Sequence, residues 1–73
     1  MEIKCNIAIK RIIAEAYPFV FVETEASYSP FVTWRRDTVH PKYVGNGHYF
    51  TDFAAAQKDF AERVHNFQKG LRL

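Results

Sequence analysis

The clearest periodicity lies in the C-terminal third of the chain. Phe53, Ala56, Phe60, Val64, Phe67 and Leu71 fall three or four residues apart, which places them on one stripe of a helix. Thr51 or Asp52 is a fitting N-cap and Gly70 stands in the stop position, so the helix is expected to run to about Lys69. Lys58, Asp59, Glu62, Arg63 and Asn66 lie off the stripe. Asp59 and Arg63 have the i, i+4 spacing of an ion pair worth about 0.3 kcal/mol. Upstream the period is two. Phe19 and Phe21 point one way and Val20 and Val22 the other, so 19–27 reads as a strand with two apolar faces. Tyr28-Ser29-Pro30 is turn chemistry. Residues 31–36 form a further predicted strand, with Phe31, Thr33 and Arg35 on one side and Val32, Trp34 and Arg36 on the other. A loop over 37–42 follows, then a turn at Gly45-Asn46-Gly47 with positive φ, and a short strand over 48–51.

The first 17 residues carry both periods. Ile3, Cys5, Ile7 and Ile9 alternate as in a strand, whereas Ile9, Ile12, Ile13 and Ala16 follow i, i+3, i+4, i+7 as in a helix. A helix over about 7–17, capped by Asn6 and ended before Pro18, is the first reading, and a strand over 2–9 is the second. Three Phe on one helix face need a broad apolar partner. A small antiparallel sheet of about three strands supplies it, giving an α+β fold in a single compact domain, 1–73. The two apolar faces of 19–22 fit a central strand or a homodimer contact.

Composition narrows the class. At 73 residues the chain buries only roughly 60% of its unfolded surface. Seven Phe, four Tyr and one Trp can each bury a large area, which offsets the small size. Cys5 is the only cysteine, so no disulfide forms within one chain, and its apolar surroundings favour a buried structural thiol over a reactive one. One Cys and three scattered His lack finger spacing, and neither a metal nor a cofactor is expected. No apolar run approaches the roughly 20 residues of a membrane span, and the N-terminus does not read as a signal peptide, so a cytoplasmic protein is expected. Ten basic residues face eight acidic ones, a balance too mild to argue nucleic-acid binding and the wrong sign for mimicry of DNA.

Catalytic motifs are missing. His48 with Asp52 could form an acid–base pair, but the ordinary reading makes His48 a strand residue and Asp52 a helix cap. The cluster with the most chemistry is Trp34-Arg35-Arg36, with Tyr28, Lys42 and Tyr43 close in sequence. Trp, Tyr and Arg dominate protein–protein hot spots, and aromatic groups beside Arg also stack bases and neutralise phosphates. The competing reading puts Trp34 and Phe31 in the core under the helix. Because only one strand face can be buried there, Phe31/Arg35 and Val32/Trp34 are not expected to be buried together.

The stretch Glu25-Ala26-Ser27-Tyr28-Ser29-Pro30-Phe31-Val32-Thr33-Trp34, then Gly47-His48-Tyr49-Phe50, Ala56 and Asp59-Phe60, resembles small proteins encoded on phages, plasmids and conjugative elements of Firmicutes. The resemblance covers residues 25–63. It implies a small accessory protein without enzymatic activity that blocks a host defence complex, as anti-CRISPR proteins do. The expected function is therefore protein–protein contact with a host protein or nucleoprotein complex through Tyr28, Trp34, Arg35, Arg36, Lys42 and Tyr43. The alternative is a small nucleic-acid-binding protein using the same face.

Overall fold

The computed structural model describes residues 3–71, with the side chain of Leu71 outside the described set. Residue 2 of the second N-terminal reading and the end of the helical stripe at Leu71 thus lie outside the described residues or side chains. Four strands, β1 (Ile9–Ala16), β2 (Phe19–Thr24), β3 (Phe31–Arg36) and β4 (Val44–Phe50), form an antiparallel meander in the order β1-β2-β3-β4. One helix, α1 (Phe53–Leu71), follows. The fold is α+β, with one strand more than expected. Helix α1 begins where Asp52 accepts a hydrogen bond from the Ala55 N–H at 3.0 Å, and it continues through Gly70 to Leu71. Gly70 does not stop it.

The preferred helix over 7–17 is not formed; β1 is a strand ended by the Tyr17–Pro18 turn, whose peptide bond is cis. The helix-like spacing has a specific cause. Pairing with β2 is irregular between Ile9 and Arg11 and again between Ile12 and Ala14. Each irregularity inserts a residue and shifts the alternation by one, so Ile9 and Ile12 share the sheet face of Thr24 and Val22 although they are three apart. Tertiary pairing also decides the outcome, because the backbone N–H and C=O groups of buried β2 need partners along both edges, which β1 and β3 supply.

Both faces of β2 are covered within one chain. On one face α1 packs on β2, β3 and β4. Phe19 meets Phe67 edge-on at 5.6 Å, Phe21 lies 5.5 Å from Phe53 and 5.9 Å from Phe60, and Phe31 meets Phe53 at 5.5 Å. On the other face Val20, Val22, Val32 and Trp34 are buried under Ile3, Ile7, Ile9 and Val44. The extended segment 3–8 is therefore a second cover. It is tied down by the Lys4 N–H, which donates to the Lys42 carbonyl at 2.6 Å, and by the Glu25 N–H, which donates to Ala8. This corrects the expectation that only one face of β3 can be buried. It also removes the motive for a homodimer through 19–22. Cys5 is exposed rather than buried, its thiol turned to the Ile7 carbonyl at 3.1 Å on the outside of that segment.

Gly45-Asn46-Gly47 is not a turn but part of β4. The positive φ falls on Asn46 (51°), and the β3–β4 pairing is irregular between Thr33 and Arg35. Gly47 lets Tyr49 fold back toward Trp34: a Cβ there would lie 2.8 Å from the Tyr49 hydroxyl oxygen and 3.0 Å from Trp34 Cδ1.

Candidate functional site

The six residues singled out from the sequence do not share one surface. Tyr28 is 84% exposed in the β2–β3 connection, at the Phe31 end of β3, whereas Tyr43 lies at the Arg36 end. Trp34 is buried in the valine cluster, because its side of β3 faces segment 3–8. Arg36, also on that side, is 1% exposed. Its guanidinium forms an ion pair with Glu15 of β1 and donates to the Pro41 carbonyl at 2.7 Å. Trp34 and Arg36 thus build the interior, and the expectation that they present a contact face is corrected. Lys42 is exposed and its carbonyl holds Lys4.

Arg35, Arg36 and Tyr43 do converge. Together with Asp37, Thr38, Val44, Gly45 and Asn46 they line an open cleft of about 340 Å³ at the β3–β4 hairpin end. Arg35 occupies the helix side of the sheet, its guanidinium centre 5.5 Å from the centroid of the Phe67 ring. The loop above the cleft is braced from within. The Asp37 N–H donates to the Tyr43 carbonyl at 2.9 Å, and Asp37 Oδ1 accepts from the N–H groups of Val39 and His40 at 2.7 and 3.1 Å. The hydrogen bonds from His40 and Val39 hold the Asp37 carboxyl below the usual aspartate range. The buried Arg36 supports the same loop through Pro41. What the braced loop projects is apolar and aromatic: Val39 is 76% exposed, Tyr43 is 55% exposed, and the His40 ring stands edge-on to Tyr43 at 6.4 Å.

A second polar constellation links α1 to the sheet. His48 Nδ1 lies 2.9 and 3.0 Å from the two Asp59 oxygens, the Thr33 hydroxyl donates to Asp59 Oδ2 at 2.6 Å, and Arg63 donates to the Thr33 carbonyl and hydroxyl at 3.0 and 3.1 Å. The partner of His48 is therefore Asp59, and Asp52 is the helix cap. Asp59 and Arg63 face the sheet instead of lying on the outer helix face. Their hydrogen bonds go to Thr33 and His48 while they remain close enough to interact as charges. Partial burial pushes the Arg63 guanidinium below its ordinary value, Asp59 opposes that shift, and the neighbouring Arg35 adds to it. The spacing pointed Asp59 to Arg63 and not to His48, because Asp59 meets His48 across the β4–α1 junction rather than along a helix.

The chain matches no protein-family model, no curated protein and no solved structure. Among the described residues no group of three or more His, Cys, Asp or Glu is placed to hold a metal ion, and no helix is long and apolar enough to cross a membrane.

Proposed function

We propose that this chain is a non-enzymatic binding module that acts by protein–protein contact through the β3–β4 hairpin end. The observation that carries the reading is the braced loop over 37–43, which holds Val39, His40 and Tyr43 outward beside Arg35. A loop whose backbone is already ordered loses little conformational freedom on binding, and aromatic and Arg side chains are the groups that anchor protein interfaces. The partner we infer is a host defence complex, with the chain as an inhibitor carried by a mobile element. That half of the reading rests on the resemblance of residues 25–63.

The test is capture by the tagged chain from lysate of a host with an active nucleoprotein defence, with and without nuclease. A protein partner that survives nuclease is expected. Tyr43→Ala should abolish its recovery while the thermal unfolding curve stays within about 0.5 kcal/mol of wild type, as for surface substitutions. Capture that Tyr43→Ala leaves intact would reject this surface. Capture that disappears with nuclease would move the function to nucleic-acid binding.

A further inference from the structure

We propose that the cleft at the β3–β4 end receives a single carboxylate from the partner protein, with Arg35 as the group that recognises it. The inference rests on the protein-contact reading and adds the chemistry of the contact. Its starting point is an account of the acidic groups around the cleft and the helix interface. Glu15 serves Arg36, Glu23 serves Arg11 and Lys10, Asp37 is held by the Val39 and His40 N–H groups, and Asp59 by Thr33 and His48. Among the described residues Arg35 has no carboxylate partner; its contact is with the Phe67 ring. A guanidinium that borders an aromatic ring and has no carboxylate partner keeps N–H donors available, and those donors match a carboxylate in bidentate geometry.

The space for such a group is also present. Gly45 pairs with Arg35 across the β3–β4 ladder, and a Cβ built on it meets nothing within 4 Å. The backbone there does not require glycine, since no glycine has positive φ. Thr38, Tyr43 and Asn46 add hydroxyl and amide groups to the lining. The wall argues for one isolated anion over a nucleic-acid strand. A phosphate backbone is tracked by a run of cations, whereas among the described residues the lining here offers only Arg35 and Arg36, and Arg36 is already committed to Glu15 and the Pro41 carbonyl.

The experiment is a titration of the labelled chain followed by NMR of the backbone amides and the arginine Nε–H groups. The probes are a capped peptide carrying one glutamate, its glutamine analogue, and oligothymidylate. Saturable shifts at Arg35 Nε–H and at the Gly45 and Asn46 amides are expected with the glutamate peptide and not with the glutamine one. Arg35→Gln should weaken the response about tenfold or more. Gly45→Val, which fills the open space and leaves Arg35 in place, should do the same. An equal response to both peptides, no response to either, or a response unchanged in Arg35→Gln overturns the proposal. So does tighter binding of oligothymidylate with a steep salt dependence. If Tyr43→Ala loses the captured partner while Arg35→Gln retains it, the contact surface stands and the carboxylate subsite falls.

Discussion

At the residue scale, the two neighbouring arginines of β3 have opposite roles because successive side chains of a strand point to opposite faces. Arg36 turns inward and is wholly buried against Glu15, which keeps about a third of its side chain in solvent. Glu15→Ala removes that carboxylate from a buried guanidinium. It should cost about 2 kcal/mol, less than a fully buried pair because water reaches Glu15. The urea midpoint should fall at constant m-value, and adding Arg36→Met should recover part of the loss. A Glu15→Ala variant as stable as wild type would show that the pair contributes nothing. Asp37 gives a pH dependence whose sign follows from its lowered carboxyl. Its contribution to loop order is complete above the ordinary aspartate value of about 3.9 and is lost as pH falls through the lower folded value. The Val39 and His40 amide resonances should therefore move together in acid, with a midpoint below about 3.9. In Asp37→Asn that common transition should vanish.

At the element scale, α1 is anchored by three means: the Asp52 cap, the Phe ladder, and the Thr33–Asp59–His48–Arg63 network. The cap is the most separable of them. Asp52→Ala should destabilise the chain by about 1 kcal/mol and speed hydrogen exchange at Ala55 first, with exchange near Val64 changed only by the global loss. Equal acceleration along the whole helix beyond that loss would mean that α1 opens as one unit. The two irregularities in β1 also matter at this scale. They twist an edge strand and interrupt the regular row of backbone groups through which a second chain could add. A groove of about 520 Å³ remains between β1 and α1, lined by Ile13, Ala14, Ala16, Phe60 and Val64. It marks the limit of what one helix, about 10 Å across, can cover on four strands spaced about 4.8 Å apart.

At the scale of the whole molecule, the sheet is a middle layer. Helix α1 covers one face and segment 3–8 the other, and a chain of 73 residues has little stability to spare. Removing residues 1–7 strips Ile3 and Ile7 from the face of Val20, Val22, Val32 and Trp34. The loss of packing of the partly buried Ile3 and Ile7 amounts to about 2 kcal/mol. The truncated chain should unfold at lower urea, shift Trp34 fluorescence to the red, and associate at higher concentration through the bared valine face. Unchanged Trp34 emission would show that segment 3–8 is not the cover of that face.

The sequence alone determined the C-terminal helix and its Phe stripe, and narrowed its cap to Thr51 or Asp52, between which the structure chose Asp52. It also determined the two-faced strand at 19–22 and the break at Pro18, because each is written in residues a few positions apart. It left β1 mistaken for a helix, since two bulges turned a period of two into spacings of three. Alternation put Arg35 and Arg36 on opposite faces, but it could not say that Arg36 is the buried one, or assign His48 to Asp59 over Asp52. Those outcomes depend on which strands pair, in what register, and which layer covers each face. Glu15 reaches Arg36 and Thr33 reaches Asp59 across 21 and 26 residues of chain, and only the assembled sheet brings them within a hydrogen bond. The cleft of Arg35 and Tyr43 is of the same kind, made where the ends of β3 and β4, the loop between them and an open glycine meet.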